Sequence, residues 1–235
     1  MHFGVITFPG SNCDHDMMDA LGRILGQQVT NIWHKDHDLK GVDAIVLPGG
    51  FSYGDYLRSG SIARFSPVMQ EVISFAKKGG TVLGICNGFQ ILCEAGLLPG
   101  ALIANTSHRF ICKNVELKVA GKNSPITSAL DTARSYTIPV AHGEGRFFAD
   151  AATLDKLEQN KQVLFRYADE NGEVSDAANI NGSANNIAGI CNAERNVMGM
   201  MPHPERAVDS ALGNEDGRDL LISLIQQLEA GKLTA

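Results

Sequence analysis

Little in this sequence suits it to a polyanion or a bilayer. Positive charge is scarce and scattered: the formal net charge is −6, and Lys77-Lys78 is the only adjacent basic pair. A nucleic-acid or anionic-membrane surface is therefore not expected as the main working face. No apolar run approaches the ~18 residues that a bilayer span requires. The opening MHFGVITFPG has neither the basic stretch nor the small-residue cleavage site of a secretory signal. The five cysteines never form a CxxC pair, and Cys86 and Cys93 stand seven residues apart. Such spacing offers no disulfide framework and no zinc motif, and it fits a reducing compartment, so the expected location is the cytoplasm. A G-x-x-x-x-G-K-[ST] phosphate loop is missing. Linkers, low-complexity stretches and charge blocks are missing too, so one domain over residues 1–235 is expected.

What is present is an ordinary globular composition, 44% hydrophobic and 20% charged. FGVITF, QVTNIW, DAIVLP and TVLGIC read as four strands. Between them, helices are expected from Asp14 to about Leu25 with Ser11 or Asn12 as cap, and over IARFSPVMQEVISFAKKG up to Gly79 with Pro67 in its first turns. NGFQILCEAG follows as a short helix. This alternation predicts an α/β fold: a mostly parallel central sheet flanked by helices. From Phe110 to Met201 shorter runs (ICKNVELKVA, SYTIPVAH, QVLFRYA, NIAGIC, NVMGMM) read as antiparallel additions to that sheet. GRDLLISLIQQLEAG closes the chain as an amphipathic helix.

Two cysteines occur in nearly the same words, GICNG at Cys86 and GICNA at Cys191. Only the first has glycine on both sides at ±2 and a helix behind it. That is the cysteine form of the G-x-S-x-G elbow, where a strand turns into a helix so sharply that flanking side chains are excluded. The helix N-terminus favours the thiolate. Cys191 is followed by a turn and a strand, and is expected, with Cys93 and Cys112, to be a buried structural residue. In MMPHPERAV, His203 and Glu205 stand two apart between prolines, a spacing at which base and orienting carboxylate can share a hydrogen bond. Gly49-Gly50 after the third strand can bring backbone N–H groups close to a ligand.

Taken together and in order, PGG, GICNGFQ and PHPE resemble the class I (triad) glutamine amidotransferases, with a flavodoxin-like sheet. FPGSNCD, GGFSYGDYLRSG, CNGFQIL, HGEGRF and PHPER extend the resemblance over essentially the whole chain. They point to those members that are separate glutaminase subunits of a purine-biosynthesis synthetase. The resemblance implies Cys86 as nucleophile, His203 as base and Glu205 as its orienter. It also implies Gly50 and Asn87 as oxyanion N–H donors, and Phe51, Gln90, His142 and Gly143 as substrate contacts. Asp55, Tyr56, Arg58 and Ser59 are expected to face a partner or buttress the turn. No cofactor or metal is implied in this chain. ATP and Mg are expected in a large synthetase subunit, with a small bridging subunit beside it, and the synthetase makes formylglycinamidine ribonucleotide from formylglycinamide ribonucleotide. Readings left open by the residues are a glutaminase serving another synthetase, a stand-alone cysteine-elbow hydrolase, and a scaffold with a dead site. Asn87, where stand-alone hydrolases commonly carry histidine, and an intact Cys86, His203 and Glu205 count against the last two.

Overall fold

The computed structural model describes residues 1–233. Its strands are β1 (His2–Thr7), β2 (Gln28–Trp33), β3 (Ala44–Leu47), β4 (Thr81–Ile85), β5 (Ala101–Ile103), β6 (Ile111–Val119), β7 (Ser135–His142), β8 (Arg146–Phe148), β9 (Val163–Ala168), β10 (Ile187–Cys191) and β11 (Val197–Met200). The helices are α1 (Asp14–Asp19), α2 (Pro67–Lys77), α3 (Asn87–Glu94), α4 (Ala151–Gln159) and α5 (Asp216–Leu233). Nine strands form one sheet in the order β2-β1-β3-β4-β11-β10-β9-β6-β7, and β5 pairs with β8 apart from it.

The first five strands of that order run parallel and the remainder antiparallel. Every residue of β3 and β4 is buried. Strands covered on both faces read as continuous apolar runs rather than alternating ones. β6 and β7, at the far edge, alternate instead. The carboxyl ends of β1, β3, β4 and β11 open on one side of the sheet, where ligands bind in open α/β folds.

Five expectations need correction. β11 is no antiparallel addition: it lies beside β4 and parallel to it, with Val197 opposite Val82 and Met200 opposite Ile85. The segment after Asp14 is α-helical only to Asp19 and continues as a wider π turn over Ala20–Ile24. Cys13, with no side-chain cap bond, takes the position expected of Ser11 or Asn12. The stretch before Pro67 is a separate 3-10 turn (Ala63–Phe65), because Pro67 pushes Ser66 into extended backbone and then starts α2 itself. Cys191 is buried in β10 as expected, whereas Cys112 is exposed on β6 and Cys93 is half-buried on α3.

Candidate active site

Cys86 joins β4 to α3 with φ 50° and ψ −104°, a conformation that a residue with a side chain avoids. Such strain costs of order 1–3 kcal/mol and persists only where the surroundings impose it. Here they do. The Cys86 N–H donates to Met200 O on β11 at 2.8 Å, and Gln90 N–H donates to Cys86 O at 3.1 Å. A methyl on Gly84 would lie 2.7 Å from the Gly88 carbonyl, and one on Gly88 would run into the Leu47 carbonyl of β3. Both glycines of the elbow are thus required by packing.

His203 and Glu205 leave the end of β11 on a proline-bounded turn, both buried. His203 Nδ1 and Glu205 Oε1 are 2.7 Å apart. Burial opposes a charged imidazole, but the carboxylate of Glu205 and the nearby sulfur of Cys86 outweigh it, and the His203 pKa stands well above the ordinary histidine value. The His203 N–H donates to Pro139 O at 2.8 Å, and Cys86 Sγ lies 3.8 Å from Ala141 O, so β7 folds over the same pair.

Cys86 stands between two lobes of one cleft. A lobe of about 210 Å³ is lined by Asn12, Cys13, His203 and Arg206, and one of about 130 Å³ by Asp55, Ser59, Gln90, His142, Gly143 and Glu144. Gly50, Phe51, Cys86, Phe110 and Ala141 border both. Larger hollows elsewhere on the surface contain neither Cys86 nor His203. Phe51 and Phe110 form an exposed aromatic rim, their ring centres 6.4 Å apart.

Gly50 has φ +145°, and a side chain there would press on the backbone of Ser11 and Asn12 at 2.8 Å. The bonds that pin this loop run from Phe51 N to Gly10 O and from Cys13 N to Gly49 O, and neither uses the Gly50 N–H. Asn87, the first residue of α3, has no preceding helical carbonyl for its own N–H. Its side chain accepts from Ser52 N–H at 3.1 Å and donates to Gln90 Oε1 at 2.9 Å. Gln90 Nε2 donates in turn to Glu144 O at 2.7 Å, so its amide groups link α3 to the loop after β7.

His142 has a fixed tautomer. Asn105 Nδ2 donates to the Arg109 and His142 carbonyls, and its Oδ1 accepts the Gly145 N–H at 3.1 Å. His142 Nδ1, 3.1 Å from that same oxygen, must therefore carry the hydrogen, which leaves the buried Nε2 a bare acceptor without a partner among the described residues. Burial, reinforced by the His203 charge, pushes its pKa down to about 4.

Asp55 sits in the smaller lobe rather than on an outer face. Burial lifts its carboxyl to about 6; the Ser59 hydrogen bond works against that rise and the Glu144 charge adds to it. Ser59 is buried and its N–H donates to Glu144 Oε2 at 3.3 Å. Arg58 grips Glu94 through two bonds of 2.7 and 2.8 Å and so fastens the loop to α3. Tyr56 is 74% exposed, and neither it nor Arg58 lines the cleft.

Sequence reading gave no role to Cys13, Asn105, Phe110, Ala141, Glu144 and Arg206. Cys13, Glu144 and Arg206 lie inside the quoted motifs FPGSNCD, HGEGRF and PHPER, a usable signal. Asn105, Phe110 and Ala141 reach the cleft only through long-range packing.

A family model for the CobB/CobQ-like glutamine amidotransferase domain matches residues 1–219. Phosphoribosylformylglycinamidine synthase subunit PurQ of Moorella thermoacetica is 57% identical over 99% of this chain and 98% of its own. The PurQ subunit of Salinibacter ruber is 55% identical over 96% of both. Among solved structures, a chain of PurLQS from Thermotoga maritima superposes with a TM-score of 0.84 at 40% identity, covering 97% of this chain and 98% of that one. With a strained cysteine elbow, a His–Glu pair on the same cleft and relatives matched end to end, the chain belongs to the PurQ family of CobB/CobQ-like glutamine amidotransferases.

Proposed function

We propose that this chain is the glutaminase subunit of a phosphoribosylformylglycinamidine synthase, acting as one glutamine amidotransferase domain in the cytoplasm. It hydrolyses glutamine to glutamate and ammonia for a large synthetase subunit, with a small subunit completing the complex. The printed names of the relatives support the assignment to that synthase, and the PurLQS title supports the partners. ATP and Mg²⁺ are assigned to the synthetase, where formylglycinamide ribonucleotide becomes formylglycinamidine ribonucleotide. The work assigned to this chain draws on a thiol, an imidazole and backbone donors.

In this reading the amino-acid end of glutamine occupies the smaller lobe. Asp55 and Glu144 face its ammonium there, and Gly143 and the Gln90-braced loop hold its carboxylate end. The carboxamide then reaches Cys86. His203 takes the Cys86 proton, the sulfur attacks the amide carbon, and a C–S bond forms as the carbonyl oxygen gathers negative charge. The Gly50 and Asn87 N–H groups hold that oxyanion. Its collapse breaks the C–N bond; ammonia departs with the proton from His203, leaving a γ-glutamyl thioester on Cys86. His203 then deprotonates a water that attacks the thioester, and glutamate leaves as Cys86 regains its proton. Glu205 keeps Nδ1 protonated throughout and stabilises the imidazolium.

The observation that carries this reading is the forced backbone of Cys86 on the same cleft as the buried His203–Glu205 pair. The test measures glutamate and ammonia release by the purified chain, alone and with its synthetase partners. Hydrolysis that rises on assembly and disappears in Cys86→Ala is expected. Equal release by Cys86→Ala would refute the assignment.

A further inference from the structure

A second thiol stands at the site without a part in the hydrolysis. Cys13 is buried at the start of α1, and its Sγ accepts from Arg206 Nη2 at 3.1 Å and lies 3.1 Å from Asn12 Oδ1. It lines the larger lobe together with Cys86 and His203. The ligand atoms of Cys13, His203 and Glu205 all lie within 4.8 Å of one another. Among the described residues, two buried atoms of this group have no hydrogen-bond partner, Nε2 of His203 and Oε2 of Glu205. Unpartnered polar atoms in a dry place are costly unless something takes them up.

We propose that Cys13, His203 and Glu205 form a binding site for a thiophilic divalent cation, zinc above all, that switches the glutaminase off. The donor set of one thiolate, one imidazole and one carboxylate selects zinc or cobalt over magnesium or calcium. Tetrahedral zinc with bonds of about 2.0–2.3 Å places its donors roughly 3.3–3.8 Å apart, so side chains already this close need shift by only about 1 Å. Asp16 holds Arg206 Nε at 3.0 Å and so answers the guanidinium charge. Zinc displaces the Cys13 proton and the second imidazole proton of His203 on binding, which leaves the Cys13 thiolate and Glu205 to balance its two charges. The fourth position opens on the larger lobe, where water or the Cys86 thiolate can complete the shell.

The effect on hydrolysis follows from which ring nitrogen the cation takes. If it takes Nε2, that lone pair is consumed. If it takes Nδ1, the remaining proton moves to Nε2. In either case His203 can no longer accept the Cys86 proton. Cation binding depends only on these side chains, whereas the inhibition also rests on the glutaminase reading, so the two can fail separately.

The test uses the full chain, zinc competed against a chromophoric chelator, and cobalt(II) as a spectroscopic stand-in. Cys86→Ala, which removes the nucleophile but none of the three donors, is expected to bind one zinc and to show a thiolate-to-cobalt charge-transfer band. Adding Cys13→Ala, or Cys13→Ser, to that background should abolish the band and weaken zinc binding by at least about 100-fold. That exceeds the 10–100-fold cost of losing a residue that merely orients a ligand. In the enzyme with Cys86 intact, zinc should stop glutamine hydrolysis reversibly, and Cys13→Ala should raise the half-inhibitory zinc concentration by a similar factor. Zinc binding that vanishes in Cys86→Ala and survives in Cys13→Ala would overturn the proposal and leave only capture by the Cys86–His203 pair.

Discussion

Replacing Glu205 by glutamine removes one charge and almost no volume from a pair that is fully enclosed. In the native site Glu205 Oε1 lies 2.7 Å from His203 Nδ1, and its charge helps hold the imidazolium against the cost of burial. A glutamine that turns its NH₂ toward Nδ1 forces the ring into the other tautomer, with the proton on Nε2, and the Cys86 proton then has nowhere to go. A glutamine that turns its carbonyl keeps the tautomer but withdraws the counter-charge. The first effect alone lowers kcat by about 10⁴ in serine-protease triads. A fall of 10³–10⁴ is therefore expected here, or about 4–5.5 kcal/mol in the barrier. The fold should lose some stability, because Glu205 offsets the burial of the His203 charge and removing one partner of a buried pair costs up to about 3–5 kcal/mol. The assay is glutamate formation by the assembled complex, beside the alkylation rate of Cys86 and a thermal melt. Both rates should fall while the chain stays folded at the assay temperature. A variant within tenfold of the parent would refute the role given to Glu205.

Three further outcomes follow from the same geometry. Asp55→Asn should raise KM for glutamine about tenfold with little change in kcat, the ~1.4 kcal/mol of a charge-assisted hydrogen bond to the substrate ammonium. Because the Asp55 pKa is lifted to about 6, the parent's kcat/KM should fall as pH drops below 6 and the variant should lack that limb. The same lifted pKa means the folded state holds the proton more tightly than the unfolded chain. Stability should therefore decline as pH rises from about 4 to 6 in the parent and not in the variant, as melts across that range would show. Gly50→Ala should stop hydrolysis yet leave ammonia-dependent synthesis by the complex intact, since a side chain there meets Asn12 N at 2.8 Å and turns the loop away. Cys191→Ser should keep nearly full activity; Cys191 lies buried in β10, its thiol pushed up by burial despite Arg195 beside it.

Legibility in the sequence followed the range of the forces involved. The Cys86 elbow was readable because its requirement is local: Gly84 and Gly88 are excluded from bearing side chains by a turn that involves residues 84–88 and the adjacent strand. The His203–Glu205 bond spans two residues and was readable for the same reason. Partner choice within the sheet was not. The VMGM of β11 carries an apolar run that suits any covered strand, and nothing local says that β4 lies beside it in parallel. α4 did leave a local sign, Asp150 capping Thr153 N–H at 2.7 Å ahead of an apolar repeat. Asn105 and Asp55 were out of reach because each acquires its role from residues far along the chain.

The covalent step is the most direct point of attack. The assembled complex, given isotopically labelled glutamine and quenched in acid during turnover, should yield one peptide bearing a labelled glutamyl group, with the label on Cys86 and chased off by further incubation. The same label on Cys13 or Cys191, or turnover with full ammonia release and no acyl-enzyme in Glu205→Gln or the parent, would contradict a Cys86 thioester as the source of ammonia.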